Sequence, residues 1–107
     1  MPTVLGTKIN KLRKEKKLTL EQLADLTGSV KSYIWELENK APPRPSADKL
    51  SKIADKLGVT LDYLLDEGET IQKEDAIDAK FYRKYQKMDS STKDKIRQMV
   101  ELWDDDD

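Results

Sequence analysis

Two short apolar stripes separated by one glycine constrain this chain more than any other feature. Residues 18–39 place Leu20, Leu23 and Ala24, with Leu26 at the margin, before Gly28, and Val30, Ile34 and Leu37 after it. Both sets recur at intervals of three and four, the period of an amphipathic helix. Gly28 stands where the chain must reverse, and glycine enters the left-handed backbone region at little cost.

This is the pattern of a helix-turn-helix unit, whose second helix is shaped to lie in the DNA major groove. The surrounding sequence extends it. Leu5, Ile9 and Leu12 give a first helix over about 4–16, with its lysines outside. Thr19, with Gln22 three residues on, forms a capping box for the second helix. A third helix covers about 30–39, with Ser29 or Val30 as its first residue, and Ala41-Pro42-Pro43-Arg44-Pro45 ends it. Ser46 caps a fourth helix whose stripe is Leu50, Ile53, Ala54 and Leu57, and Gly58 suits its end. Thr60 caps a short fifth helix in which Leu61, Leu64 and Leu65 point inward. The expected fold class is therefore all-α: a compact five-helix unit over 1–68, then 69–107 as a linker and helical appendage.

Composition narrows the function. The chain of 107 residues contains neither Cys nor His. That removes thiolate metal sites, Cys nucleophiles, and the most common general base and metal ligand. No nucleophile–base pair or phosphate-cradling glycine loop is present, so neither an enzyme nor a cofactor is expected. No stretch has the length of a membrane span and the amino terminus lacks a signal-peptide core, so a cytoplasmic location is expected. The formal net charge is −1, but its distribution is uneven. Residues 1–68 carry 12 Lys and Arg against 10 Asp and Glu, and residues 69–107 carry 8 against 11. Lys8, Lys11, Arg13, Lys14, Lys16 and Lys17 face only Glu15 in their segment. Such a cluster is either a solvated helix flank or an electrostatic footprint for nucleic acid.

Three segments in order, Leu18–Ala24, Ser32–Asn39 and Leu50–Leu65, resemble the Cro/cI-type (Xre) family of bacterial and phage repressors. The resemblance covers about residues 5–68. It implies a five-helix lambda-repressor-like DNA-binding domain that acts as a dimer on a two-fold operator. It also implies a buried structural ion pair between Arg13 and Glu38. The sequence departs from the family pattern at Leu20, where Gln is usual, at Val30, where a Ser cap is usual, and at Trp35, where a small residue is common.

Helical geometry orders the DNA-reading candidates. On a helix turning about 100° per residue, Lys31, Trp35, Asn39, Ser32 and Glu36 share an arc of roughly 140°, opposite Val30, Ile34 and Leu37. Lys31, Ser32, Trp35 and Glu36 are the expected base readers: Lys31 can donate to guanine, Glu36 can accept from cytosine N4, and Ser32 can do either. Each has an alternative role. Lys31 could meet only phosphate, Glu36 could pair with a neighbouring cation, and Trp35 could cover its own helix. Gln22, Tyr33, Asn39, Lys40 and Arg44 are the expected phosphate contacts, with packing the alternative for Tyr33. Such contacts set register and affinity rather than sequence.

The appendage carries its own signal. Ile77, Phe81, Tyr85 and Met88, then Ile96, Met99, Val100 and Trp103, form two amphipathic stripes around Asp89-Ser90-Ser91. They describe a C-terminal helical hairpin with more apolar surface than two helices can bury. Four terminal aspartates follow at the unfavourable end of the last helix dipole. A homodimer covers such a surface economically. The alternative is an antitoxin-like regulator whose hairpin binds a second protein, such as a toxin or a protease.

Overall fold

The computed structural model describes residues 3–40 and 45–103, which form seven helices and no strands. α1 spans Val4–Glu15, α2 Leu20–Thr27, α3 Lys31–Asn39, α4 Ala47–Leu57, α5 Leu61–Leu65, α6 Lys73–Gln86 and α7 Ser90–Trp103. Each of the first five has a local reason for its boundaries. The Thr3 hydroxyl accepts the Gly6 N–H at 2.9 Å and opens α1. Thr19 and Gln22 form the reciprocal capping box of α2, at 2.8 and 3.0 Å. Ser46 and Thr60 accept amides of the first turns of α4 and α5. Gly28 and Gly58 end α2 and α4 in the left-handed region, at φ 68° and 77°. α3 begins at Lys31, later than either expected first residue. Val30 occupies the flanking position in extended backbone and has no side-chain acceptor to close the first turn.

α1 to α5 enclose one core. The expected residues Leu12, Leu23, Ile34, Leu37, Ile53, Leu57 and Leu64 are all buried, together with Ile9, Leu50 and Val59. Three expectations fail on this core. Val30, Leu26 and Leu65 are 64%, 48% and 51% exposed. Val30 lies before the helix rather than on its inner stripe. In the five-residue α5, Leu64 and Tyr63 take the inner positions, leaving Leu65 outside.

Lys8 was expected outside with the other α1 lysines, yet it is buried. Its ammonium donates to the Tyr63 and Asp66 carbonyls at 2.7 and 2.8 Å and lies 4.2 Å from the centre of the Tyr63 ring. A cation thereby satisfies carbonyls at the end of α5, where the helix dipole favours it. Burial also pushes the Tyr63 hydroxyl pKa up from its ordinary value.

α1 and α3 are held in two ways. Arg13 Nε and Nη2 donate to the two Glu38 carboxylate oxygens at 2.6 and 2.9 Å, and Nη1 donates to the Leu18 carbonyl at 2.8 Å. Asn10 adds a further donor to Glu38 at 2.7 Å. These contacts raise the Arg13 pKa further, chiefly through the Glu38 hydrogen bonds. One turn or more earlier, Gly6 lets the backbones touch. A Cβ there would collide with the Leu37 carbonyl oxygen and stand 2.9 Å from that of Glu38.

α6 begins at Lys73, inside the stretch 69–74 expected to be a linker or a loose helix start. Its root is fixed by the Asp66 carboxylate, which accepts the Ile71 amide at 2.6 Å and is held below its ordinary pKa first by that bond. Ala76 packs into the core, and Lys73–Glu15 and Lys80–Asp55 pairs at 3.0 and 2.9 Å flank it. Asp89 accepts the Thr92 amide at 2.7 Å and starts α7, in which no residue is buried.

Two outcomes are expected from these contacts. Arg13→Ala should cost about 3–5 kcal/mol in urea unfolding, since it leaves the Glu38 carboxylate buried without its charge partner. Gly6→Ala should lower the melting temperature sharply, because the obstacle is backbone and cannot swing away; an unchanged melting curve would contradict the close approach.

Candidate nucleic-acid interface

α3 offers solvent one continuous face. Lys31, Ser32, Trp35 and Glu36 are all exposed and together line one shallow depression, so the four expected base readers are neighbours in space. Val30 stands exposed at the head of this helix. Its position outside the inner stripe was missed because its spacing from Ile34 fits the helical period. The inner side of α3 is consumed by Ile34, Leu37 and Glu38, which fixes the orientation of the outer face.

The indole organises the far end of that face. Trp35 is 44% exposed, and the Lys40 ammonium lies 5.6 Å from its ring centre. The Asn39 amide nitrogen donates to the Trp35 carbonyl at 2.9 Å, so Asn39 is partly engaged by its own helix. Glu36 has no ion-pair partner among the described residues, which leaves its carboxylate free to accept.

The remaining phosphate candidates differ in placement. Gln22 is exposed, and its amide oxygen is held by the Thr19 N–H, which leaves the amide nitrogen free to donate outward. Tyr33 is half-buried against the core, and its hydroxyl is enclosed without a hydrogen-bond partner. Lys49 of α4 lies 4.9 Å from the Tyr33 ring centre, a cation beside α3 that sequence periodicity did not single out. Arg44 lies outside the described residues.

A profile of the helix-turn-helix family matches residues 9–64, more than half of the chain. The chain belongs to the Xre (Cro/cI-type) helix-turn-helix family. Among its relatives is the transcriptional regulator SinR of Bacillus subtilis (strain 168), 32% identical over 78 residues that make up 73% of this chain and 70% of SinR. A crystal structure of SinR, the master regulator for biofilm formation, in complex with DNA aligns with a TM-score of 0.55 at 37% identity. It covers 58% of this chain and 98% of that one. A structure of a SinR protein/SinI protein complex aligns with a TM-score of 0.57 at 28% identity and covers 95% of this chain and 99% of that one. This family member is a DNA-binding, non-enzymatic, SinR-like transcriptional regulator. None of its described helices is long and apolar enough to cross a membrane.

Proposed function

We propose that this regulator is a dimeric repressor of a (pseudo)palindromic double-stranded DNA operator. The observation that carries the reading is the outward face of α3. Lys31, Ser32, Trp35 and Glu36 share one exposed surface at a helix whose opposite side is locked into the core. In this role Lys31 and Ser32 meet base edges first, since the amino-terminal part of a recognition helix reaches deepest. Glu36 accepts from a cytosine amine, and Trp35 lies against a thymine methyl or sugar while holding Lys40 toward the backbone. Gln22, Asn39, Lys40 and Arg44 supply phosphate contacts.

Residues 1–68 form the DNA-binding domain in this reading, and 69–107 the dimerisation element. The support lies in the exposed apolar side chains of the hairpin. Phe81, Tyr82, Met99, Val100, Leu102 and Trp103 are each more than half exposed. Ile77 and Tyr85 lie on α6 and Ile96 on α7, whereas Met88, expected on the first stripe, falls in the turn between them because α6 ends at Gln86. A cleft bounded by Phe81, Tyr85, Ile96 and Val100 opens between α6 and α7. Two hairpins pairing there bury apolar surface and present two recognition helices to successive half-sites.

A second reading assigns the same surface to a different protein. It is favoured by the alignment with SinR in its complex with SinI, which extends over both hairpin helices. A toxin or protease partner belongs to this second reading.

Lys31→Ala and Ser32→Ala are each expected to weaken specific binding by about 1–3 kcal/mol while leaving binding to scrambled DNA nearly intact. Competition between operator and scrambled duplexes measures this; equal losses on both would remove the two residues from base reading.

The Phe81→Asp/Trp103→Asp pair should convert a sedimenting dimer into a monomer and weaken binding to a full operator, because charge in an apolar interface is costly and linked half-sites are lost. A wild-type monomer would favour the protein-partner reading. A double variant that stays dimeric would move the interface to another surface, with exposed Leu65 the first candidate.

A further inference from the structure

The head of α3 carries an apolar residue that folding does not use. The other four helices of the helix-turn-helix unit open on a hydroxyl that closes the first turn. Thr3, Thr19, Ser46 and Thr60 each accept an amide three residues on. α3 opens on Val30, whose side chain can accept nothing. Nor does Val30 serve the core. It is 64% exposed, while Leu18, Leu20 and Tyr33 pack against the core edge. A single exposed apolar residue is ordinary on a protein surface; the place of this one is not.

Val30 lies in extended backbone, at φ −104° and ψ 155°, directly ahead of Lys31 and Ser32. The amino-terminal end of a recognition helix is the part that meets base edges in the major groove. Of the four bases, only thymine presents an apolar group there, its C5-methyl. Val30 brings two methyls on a β carbon whose rotation is restricted, so a contact orders little that is not already fixed. Lys31 and Ser32 beside it are equipped for hydrogen-bonding edges and not for a methyl. Trp35 stands five residues on, about 7.5 Å along the helix axis, so the two apolar side chains address different parts of a site.

We propose that Val30 is a specificity-determining residue that packs against the C5-methyl of a thymine within one base step of the pair met by Lys31. This rests on the reading in which the α3 face meets the operator. The contact favours a T·A pair over C·G at that step, since cytosine carries an amine and no methyl in the groove. A serine at position 30 would close the first turn of α3 and lose that preference.

The test uses a duplex selected by the full chain from a randomised pool, with each thymine of the selected site replaced in turn by deoxyuridine. That replacement removes the methyl and nothing else. Wild-type protein should lose about fourfold in affinity at one thymine of each half-site, the effect of burying one methyl. Val30→Ala and Val30→Ser should bind the thymine and deoxyuridine duplexes alike. Val30→Ser should also raise the melting temperature, because its hydroxyl caps α3, which separates loss of the preference from a weakened fold. A wild type indifferent to every replacement would overturn the proposal, as would Val30 variants that keep the wild-type difference at every thymine. A difference that vanishes only with Trp35→Ala would assign the methyl to Trp35 and overturn it too. Lys31→Ala keeps the two readings apart. If it loses preference for the selected duplex over a scrambled one while the Val30 variants keep theirs, Val30 is not a reader and the α3 face still is. If none of these variants loses that preference, both readings fall.

Discussion

The position of α3 depends on one buried ion pair. Arg13 and Glu38 meet in a two-point contact, and each makes one further hydrogen bond, Arg13 to the Leu18 carbonyl and Glu38 from Asn10. A buried pair of this kind is weak evidence for added stability, since desolvation offsets much of the attraction. Its value here is geometric. A guanidinium and a carboxylate accept each other in few orientations, so the contact sets both the rotation of α3 about its axis and its register against α1. Rotation decides which residues face outward. With Glu38 fixed inside, Lys31, Ser32, Trp35 and Glu36 fall on the solvent side together.

Gly6 makes the same point through sterics. Two helices ordinarily lie about 8–10 Å apart, held off by their side chains. At Gly6 the α1 backbone comes against the carbonyls of Leu37 and Glu38, so the end of α3 is held close where the ion pair forms. The ion pair sets rotation and register, and the close approach at Gly6 sets the separation. Between them they turn an amphipathic nine-residue helix into a rigid surface for recognition, which is what a site built on secondary structure needs.

Much of this was legible because it is periodic. The apolar stripes of α1, α2, α3 and α4 identified the core, and the caps at Thr19, Ser46 and Thr60 marked helix starts that the structure reproduces within a residue. The resemblance to the Cro/cI family supplied the Arg13–Glu38 pair, which no periodicity would have paired across 25 positions. What was illegible is what periodicity mislabels. Val30 has the spacing of a core residue, but it lies before the first helical turn. Lys8 looks like one more surface lysine, yet it satisfies carbonyls at the end of α5, 55 and 58 residues away. Tyr63 goes inward for the same reason. Such pairings arise from tertiary packing, and neither partner's local sequence carries a mark of the other.

Lys8 also changes how the charge of the chain bears on DNA binding. A net charge of −1 suits a nucleic-acid binder poorly, but net charge is the wrong quantity, because at about 0.15 M salt a charge is felt over about 8 Å. Location decides. Lys8 is inside, and Lys73 and Lys80 are paired to Glu15 and Asp55. Lys16 and Lys56 look into a cleft beside α6 rather than toward α3. Among the described residues, the cations beside the recognition face are Lys31, Lys40 and Lys49, two of them against the rings of Trp35 and Tyr33. The lysine cluster of α1 is therefore not a single DNA footprint. Its members divide between core, cleft and solvent, and among the described residues beside α3 two cations, Lys40 and Lys49, lie against aromatic rings.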